Sequence, residues 1–539
     1  MPENIEQRVN KLRIKAAQRY NIAPERCHVG HLALEGMLER PSAICQIDGA
    51  TNAQETNISV ATRSMRLASA MKNAGFKPGD PIIISGPNHL DLAIPYYACH
   101  FMGYSMCSID PSAEISDLKS LYGNIQPKIV FCQKENLEKN KEALEANRLD
   151  NVEIVAFDDM ENFIQKHRGT EVNFKPSSDF DQSKTAAWYI LTSGSTGLPK
   201  VAIITFDTLL NGVIEWWLPT RQDVIHMNML MTSTQWLSSL IYFISSSIKP
   251  FVRLQSSQPV SPPLLVHMIN TYKPTSTAWT PYLLARFVQA PAKVVDLSCF
   301  KHILVGGAPS EKHIIEEFKK LCDAELHLCY GMTELLVGCF DYNEKTTPFG
   351  SSGKPFSKYR YRLVDDEGQE VTEPHKNGEL WVKGDAFFKG YLNNEKETKE
   401  MLTDDGWLKT GDIFYRDEND NYFFVERKRL LIRYLTTWVS PVQLEQIIRQ
   451  HPSVSEVCVV GLSNPQTMEY PVAAILKKNG NVVEPQEIFD LVKKEMPEAK
   501  HLHGGLFFVE GFPMTPSGKV HRSKVAEMAR QSERVFSLN

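Results

Sequence analysis

A run of hydroxyls and glycines that ends in a lysine is the part of this sequence best suited to chemistry. It follows the apolar stretch from Tyr189 to Leu191 and reads Thr192-Ser193-Gly194-Ser195-Thr196-Gly197-Leu198-Pro199-Lys200. Glycine lets backbone N–H groups approach an anion closely, hydroxyls donate further hydrogen bonds, and lysine adds a positive charge. We therefore expect this run to bind a polyphosphate, although surface turns can have a similar composition.

The spacing of the run differs from the G-x-x-x-x-G-K-[ST] pattern of P-loop enzymes. Gly194 and Gly197 are too close together, and Val201 rather than a hydroxyl residue follows Lys200. A different class of nucleotide enzyme is therefore indicated. Three further motifs follow along the chain, namely Tyr330-Gly331-Met332-Thr333-Glu334, Gly406-Trp407-Leu408-Lys409-Thr410-Gly411-Asp412 and Pro516-Ser517-Gly518-Lys519.

In order and spacing, these four motifs resemble those of the acyl-adenylate-forming superfamily, in the branch that holds 4-coumarate–CoA ligases, fatty acyl-CoA synthetases and beetle luciferases. The resemblance extends over nearly all of the 539 residues. It implies that ATP and Mg2+ activate a small-molecule carboxylic acid, here a hydrophobic aryl or fatty acid, to an acyl-AMP with release of pyrophosphate. It also implies a second step in which CoA forms a thioester.

The resemblance also implies roles for individual residues. Lys519 matches the adenylation lysine, which bridges the attacking carboxylate and the α-phosphate, and Lys200 ends the phosphate-binding run. Thr333 matches the threonine that contacts the α-phosphate, and Glu334 matches the ligand of Mg2+. Tyr330 would lie near the adenine, and Asp412 and Arg427 would contact the ribose. The remaining nucleotide-binding positions are Gly331, Gly307, Ala308 and Pro309. Each could instead be a turn or cap residue, with Thr333 as a helix N-cap the best alternative.

Several positions depart from the family pattern. Val201 replaces a glycine and Phe206 replaces a histidine, and the segment around Thr232, Gln235 and Trp236 lacks the His/Phe-rich element of the acyl pocket. We assign these three residues, with Gly306 and Met332, to a differently shaped acid pocket. Thr436 replaces the glycine of a loop that borders the pantetheine tunnel, and Trp438 adds bulk nearby, so use of CoA is in question.

Two alternatives to the ligase reading follow from these departures. One is a luciferase-like enzyme that oxidises its bound adenylate with O2 as co-substrate. The other is a relative that binds an acid or nucleotide without turning it over. The presence of Lys519, Thr333, Glu334 and Asp412 argues against this second alternative, because a non-catalytic chain has no reason to retain all four catalytic and nucleotide-binding groups.

Composition excludes some classes of function. With 59 Lys+Arg against 64 Asp+Glu, the charge balance favours neither a nucleic-acid nor an anionic membrane partner. Ten scattered cysteines without a C-x-x-C pair indicate reduced thiols. The polar N-terminus indicates no signal peptide, and the run from Trp236 to Phe251 is too short for an integral membrane segment. The final Ser537-Leu538-Asn539 does not match a peroxisomal address. We therefore expect a cytoplasmic protein. The oligomeric state is left open.

The elements that would position these residues alternate between strand and helix. Strand patterns at 81–85, 128–131 and 152–157 alternate with helical ones such as 60–74 and 117–125, which predicts an α/β fold. We expect a large N-terminal body of two doubly wound α/β subdomains and a small β-rich subdomain, and then a mobile α+β C-terminal domain. The predicted boundaries are 1–425, a hinge at 426–429 that contains Glu426, and 430–539.

Overall fold

The structure is a computed structural model that describes residues 4–192, 200–220, 225–289, 295–308, 310, 312–435, 437–478, 481–514 and 520–537. The chain divides into two compact units. The first comprises Met1–Arg360 and Lys383–Leu408, and the second comprises Tyr361–Val382 and Lys409–Asn539. Glu426 lies inside the second unit, and the domain boundary and hinge proposed from the sequence stay predictions.

The first unit contains two mainly parallel sheets and a short strand pair. Its strands are β1 Ile44–Asp48, β2 Gln54–Thr56, β3 Pro81–Ser85, β4 Ser105–Ser108, β5 Ile129–Cys132, β6 Glu153–Ala156, β7 Ala186–Thr192, β8 Lys200–Thr205, β9 Met227–Met229, β10 Val252–Gln255, β11 Ser276–Trp279, β12 His302–Gly306, β13 Glu325–Cys329, β14 Phe340–Asp341 and β15 Ser351–Pro355. Within the described residues, one sheet has the order β13-β12-β11-β9-β10-β1-β2 and the other β6-β5-β3-β4-β7-β8. In each, the last strand is antiparallel to its neighbour.

Helices connect these strands, as parallel pairing requires. They are α1 Ile5–Tyr20, α2 Val29–Glu39, α3 Asn57–Asn73, α4 Ala93–Met102, α5 Ile115–Ile125, α6 Leu137–Glu145, α7 Met160–Gln165, α8 Phe206–Thr220, α9 Leu237–Ile248, α10 Pro262–Tyr272, α11 Pro281–Gln289, α12 Lys312–Leu321 and α13 Glu395–Met401. Local sequence sets several of their starts. The Ser261 side chain caps α10 ahead of Pro262, and the Thr56 side chain caps α3.

Each sheet of the first unit has its own apolar core. Around β11 and β12 the core includes Trp279, Ile303 and Phe318, all nearly inaccessible to solvent. Around β3 and β5 it includes Ile83, Tyr122 and Val130. Because strands buried on both faces need apolar residues at every position, β3 reads as the continuous run Ile82-Ile83-Ile84 rather than as an alternation.

Among the described residues, the second unit combines mainly antiparallel strand pairs with three α-helices, and one strand pair, Met468–Lys477 with Leu506–Val509, is parallel. Its strands are β16 Arg360–Val364, β17 Gly378–Lys383, β18 Leu408–Arg416, β19 Tyr422–Arg427, β20 Ile432–Tyr434, β21 Thr437–Val439, β22 Val454–Asn464, β23 Met468–Lys477 and β24 Leu506–Val509. One end residue of each of the first three strands, namely Arg360, Lys383 and Leu408, is assigned to the first unit. The helices are α14 Pro441–Ile448, α15 Pro485–Glu495 and α16 Arg522–Gln531. Strands β16 to β19 run in the order β19-β18-β17-β16, and the later strands form the order β21-β20-β23-β22 with β24 beside β23.

The α/β class predicted from the sequence is confirmed. The strand predicted at 81–85 is Pro81–Ser85, and the helix predicted at 60–74 starts earlier, at Asn57, because Thr56 caps it. The ten cysteines, all of them among the described residues, form no disulfide bond in the structure. Within the apolar run from Trp236 to Phe251, Leu237–Ile248 form the largely buried helix α9. None of the described helices has the length and apolar character to cross a membrane.

Candidate active site

The Thr333–Glu334 motif follows strand β13, which is the edge strand of its sheet in the first unit. Strand β13 ends at Cys329, and Thr333–Leu335 form a single 3-10 turn. Met332 rather than Thr333 occupies the N-cap position, and it makes no side-chain cap bond. Glu334 is only 6% exposed. Its Oε1 accepts a hydrogen bond of 2.5 Å from the Tyr391 hydroxyl, so a fixed carboxylate lies just beyond the sheet edge.

The residue after this turn has a strained backbone. Leu336 adopts φ 60° and ψ −45°, and the Val337 N–H donates to the Leu335 carbonyl at 2.6 Å, which closes a γ-turn. Leu336 is 1% exposed, so burial of its side chain stabilises a conformation that a non-glycine residue rarely adopts. Strain of this kind concentrates at ligand-binding sites.

Lys200 lies at the far end of the run that the sequence predicts to bind phosphate. Strands β7 and β8 are antiparallel, and Thr192 and Lys200 are Cα partners, so the two ends of the run face each other. The Lys200 ammonium pairs with the Glu397 carboxylate and lies 5.0 Å from the centre of the Tyr391 ring. Tyr391 therefore contacts both Lys200 and Glu334. The residues between the two strands, Ser193, Gly194, Ser195, Thr196 and Gly197, lie outside the described residues.

The predicted adenine-side turn follows strand β12, which ends at Gly306. Gly307 has φ +91°, a backbone conformation that favours glycine, and Ala308 is exposed. A Cβ added at Gly306 would lie 3.0 Å from the Cys329 carbonyl oxygen, so the turn and the end of β13 approach closely. The Tyr330 ring lies 5.8 Å from the Phe340 ring. Pro309 lies outside the described residues.

The residues predicted from the divergent segment make contacts of their own ahead of α9. The Gln235 amide oxygen accepts from the Asp110 N–H at 2.8 Å. The Thr232 hydroxyl lies 2.8 Å from the Ser239 hydroxyl, and Trp236 occupies the N-cap position of α9. The Gln235 and Thr232 side chains therefore already have protein partners, and a ligand would have to displace these hydrogen bonds or bind without breaking them.

A small pocket in the first unit is lined by a different set of side chains. It has apolar walls with a few polar groups, and its lining includes Leu304, Val337, Phe340, Phe356, Glu215, His327 and Tyr342. None of the five residues assigned to an acid pocket from the sequence belongs to this lining, and their role stays a prediction. Mostly apolar walls with few polar groups are typical of small-molecule pockets.

One polar group of the pocket is an acid with an altered pKa. Glu215 is buried, and its carboxylate accepts a hydrogen bond from the Tyr359 hydroxyl. Burial raises the pKa of Glu215 to about 7, because loss of water disfavours the charged carboxylate. The pocket therefore holds a carboxyl that changes its protonation state near neutral pH.

In the second unit, the two residues predicted to hold the ribose pair with each other. Asp412 on β18 and Arg427 on β19 are Cα partners. The Arg427 Nε lies 3.1 Å from the Asp412 Oδ1, and Asp412 is 2% exposed. Thr410 supports the strand next to Asp412, because its hydroxyl donates to the Leu380 carbonyl at 2.8 Å and accepts from the Asp412 N–H at 3.1 Å.

Glu426, the predicted hinge residue, is buried and bound within the second unit. Its Oε2 accepts from the Val442 N–H at 3.0 Å and from the Ser440 hydroxyl at 3.2 Å, and its Oε1 accepts from the Arg427 N–H at 2.8 Å. Burial raises the pKa of this carboxyl. Glu426 therefore connects the end of β19 to the start of α14.

Comparison with known families decides the class of protein. Residues 38–392 match the model of the AMP-binding enzyme family, and residues 443–519 match that of the AMP-binding enzyme C-terminal domain. The chain belongs to the AMP-binding enzyme family. The predicted superfamily is confirmed, and with it the prediction of an enzyme family that contains both luciferases and CoA ligases.

Relatives of both kinds align with most of this AMP-binding protein. Luciferin 4-monooxygenase of Photuris pensylvanica is 28% identical over 492 residues, which cover 86% of this chain and 88% of the relative. A 4-coumarate–CoA ligase of Vanilla planifolia is 28% identical over 524 residues, with 93% of each chain covered.

A solved structure shares the fold. The o-succinylbenzoate CoA synthetase MenE of Bacillus subtilis, in complex with its acyl-adenylate intermediate, matches with a TM-score of 0.79 at 21% identity and covers 94% of this chain and 99% of MenE. MenE has also been solved with ATP and a magnesium ion.

The AMP-binding family implies Mg2+ bound together with ATP, and Glu334 fits that ion. Magnesium prefers hard oxygen ligands, and a carboxylate is the usual protein contribution. The Tyr391 hydroxyl fixes one oxygen of Glu334, and the Phe388 N–H donates to the Glu334 main-chain oxygen at 3.0 Å. Both the side chain and the backbone of this residue are therefore held in place.

Sequence reasoning missed Tyr391, Glu397, Glu215 and His327. Tyr391 and Glu397 flank a turn signal, Asn393-Asn394, and Asn394 caps α13, so a loop and a helix start could have been found there. Nothing local marks their contacts with Lys200 and Glu334. Glu215 lies among apolar residues in the second half of the helical pattern of α8, where a carboxylate is unusual, and that signal was available.

Proposed function

We propose that this protein catalyses ATP-dependent adenylation of a hydrophobic aryl or fatty carboxylic acid, with release of pyrophosphate. A carboxylate is a poor acyl donor, and attack of one of its oxygens on the α-phosphate of ATP converts it to an acyl-AMP. The obstacle to that attack is the repulsion between two anions. Fixed positive charge and hydrogen-bond donors at the phosphate lower it.

The observation that carries this proposal is the contact of Tyr391 with both Lys200 and Glu334. The ring supports the ammonium at 5.0 Å, and the hydroxyl donates to the carboxylate at 2.5 Å. A cation suited to phosphate and a carboxylate suited to Mg2+ are thus positioned by one side chain of the same unit. Bound Mg2+ would offset the negative charge of the phosphates, and Thr333, beside Glu334, would donate to the α-phosphate.

Other parts of the nucleotide and the acid are assigned to further residues. In the second unit, Asp412 would accept hydrogen bonds from the ribose hydroxyls, with Arg427 beside it. Lys519, which lies outside the described residues, would bridge the acid and the α-phosphate. The apolar walls around Leu304 and Phe340 suit a hydrophobic acid, and Glu215 suits a substrate with a hydrogen-bond donor.

For the second step we propose attack of CoA on the acyl-AMP, which gives a thioester and AMP. The whole-length similarity to 4-coumarate–CoA ligase supports this order of events. Oxidation of the adenylate by O2 is the second candidate, and two observations favour it. First, a luciferase and the 4-coumarate–CoA ligase are each 28% identical to this chain. Second, Thr436 stands where the family has a glycine, and the nearby Trp438 is half-exposed, with its ring 5.1 Å from the Arg433 guanidinium. Thr436 itself lies outside the described residues.

The test is product analysis by mass spectrometry after incubation with Mg-ATP and a panel of fatty and aryl acids, with and without CoA, while any emitted light is recorded. We expect acyl-AMP and pyrophosphate without CoA and a CoA thioester with it. Oxidised acid or light in place of the thioester would move the oxygenase to first place. Nucleotide binding without any product would support the non-catalytic alternative.

A pair of lysine variants tests the mechanism of the first step. Lys519→Ala should lower the rate of adenylation by roughly 100-fold or more, the usual effect of removing one fixed donor from a developing charge. Lys524→Ala, at an exposed position of α16, is the matched control and should leave the rate unchanged. Adenylation that survived Lys519→Ala would contradict the proposed mechanism.

A further inference from the structure

Two histidines and a glutamate meet on neighbouring parallel strands of the first unit. His302 begins β12, and Glu325 and His327 lie on β13. The strand register pairs His302 with Glu325 and Leu304 with His327. Since side chains two residues apart on a strand share a face, all three groups are on the same side of the sheet.

The distances between their donor atoms are those of a metal-binding set. His302 Nδ1 lies 3.1 Å from His327 Nε2 and 3.6 Å from Glu325 Oε2. All three ligand atoms lie within 4.8 Å of one another. Tetrahedral zinc with bonds of roughly 2.0–2.1 Å places its ligand atoms about 3.3 Å apart. The two separations measured from His302 Nδ1 are therefore close to those of zinc ligands.

We propose that His302, Glu325 and His327 form a binding site for a divalent transition metal ion, with zinc as the best fit. Two imidazole nitrogens and one carboxylate oxygen are a known zinc set in which water completes the fourth position. Imidazole ligands favour zinc, copper or nickel over magnesium and calcium, which prefer oxygen. In the part of the chain that the structure describes, no other group of three His, Cys, Asp or Glu side chains has this compactness.

The surrounding charges are compatible with a cation. Glu325 contributes one negative charge, and the nearby Glu344 is paired with Lys319, whose Nζ lies 2.9 Å from its Oε1. His327 is buried, His302 is partly buried and Glu325 is exposed, so an ion could enter from the solvent side.

The competing explanation is a hydrogen bond between the two rings, with Glu325 as a surface neighbour. The N–N distance of 3.1 Å fits that bond as well. The two explanations differ in what happens when metal is supplied. Because His327 also lines the pocket with Glu215, a bound ion would in addition fix the orientation of one pocket side chain.

The experiment is a metal titration of the full chain after treatment with a chelator. The stoichiometry and affinity for Zn2+ are measured by competition with a chromophoric chelator, and Co2+ is used to report four-coordination through its visible absorption. Three variants remove one ligand each, His302→Gln, His327→Gln and Glu325→Gln. His267→Gln, at an exposed position of α10, is the matched control.

We expect one equivalent of zinc bound by the wild type and by His267→Gln. Each histidine variant should weaken zinc binding by about 100-fold or more, because loss of an outer-shell partner alone lowers metal affinity by about 10–100-fold. Glu325→Gln should weaken zinc binding by about tenfold or more. Glu325 is exposed, so this variant remains informative if a histidine variant does not fold. Absence of zinc binding by the folded wild type, or equal binding by all variants, would overturn the proposal. Zinc binding is measured without ATP or acid, so its outcome is independent of the proposed adenylation.

Discussion

Arg427 lies directly across an antiparallel strand pair from Asp412, with its Nε 3.1 Å from the Asp412 Oδ1. Asp412 is 2% exposed, so its charge is balanced mainly by this partner. A buried carboxylate that is fixed by a cation is well prepared to accept hydrogen bonds from a sugar hydroxyl. The pair is therefore a direct target for testing the assignment of the ribose.

We expect Asp412→Asn to raise the KM for ATP by roughly tenfold or more, because a hydrogen bond to a charged group contributes about 1.5–3 kcal/mol. Steady-state kinetics with ATP and with 2′,3′-dideoxy-ATP provide the measurement. The wild type should discriminate against the dideoxy analogue, and the variant should not. Glu418→Gln at an exposed carboxylate is the control. Unchanged discrimination in Asp412→Asn would contradict the assignment.

Tyr391 offers a way to separate its two contacts. Tyr391→Phe removes the hydroxyl that holds Glu334 and keeps the ring beneath Lys200, whereas Tyr391→Leu removes both. We expect the phenylalanine variant to need roughly tenfold more Mg2+ for half-maximal adenylation, because a less restrained Glu334 binds the ion more weakly. The leucine variant should also show a higher KM for ATP. Equal Mg2+ dependence in the wild type and Tyr391→Phe would contradict this role of the hydroxyl.

Glu215 should make stability depend on pH in the neutral range. Its pKa in the folded protein is about 7, above the ordinary value of 4.5, so the folded state favours the protonated carboxyl. That contribution is complete below pH 4.5 and is lost as the pH rises through 7. Glu215→Gln imitates the protonated form, and its melting temperature relative to the wild type should rise between pH 5 and pH 8. Thermal denaturation at several pH values checks this, with the exposed Glu367→Gln as the control.

The buried His100 should have the opposite effect. Its Nδ1–H donates to the Tyr96 carbonyl at 2.7 Å, and its Nε2 accepts from the Trp188 Nε1–H at 2.8 Å, so both nitrogens are used by the neutral ring. Burial lowers the pKa of His100 from 6.5 to about 4. The unfolded chain therefore binds a proton more readily, and stability is lost as the pH falls from 6.5 towards 4.

His100→Gln keeps one donor and one acceptor but has no proton to gain. Its melting temperature should depend less steeply on pH between 6.5 and 4 than that of the wild type. His375→Gln, at an exposed histidine, should follow the wild type. A slope in His100→Gln as steep as that of the wild type would assign the acid sensitivity to other groups, such as the buried His31, whose pKa burial also lowers to about 4.

Much of the fold follows from short-range patterns. The run Ile82-Ile83-Ile84 between Pro81 and Ser85 predicts a buried strand, and the structure has that strand. Glycines and hydroxyls next to Lys200 indicate phosphate chemistry because backbone access and charge are properties of the residues themselves. The class of protein was also available from the sequence, since the order of four motifs carries the resemblance that the family model confirms.

What only the tertiary structure decided is which distant residues meet. Lys200 and Glu397 are 197 positions apart, and Glu334 and Tyr391 are 57 apart. His302 and His327 meet only because β12 and β13 pair in one particular register, and a shift of one residue would place His327 on the other face. Local propensity and periodicity describe neighbours along the chain, whereas the partner of a charge or a ring is set by how the strands and helices pack.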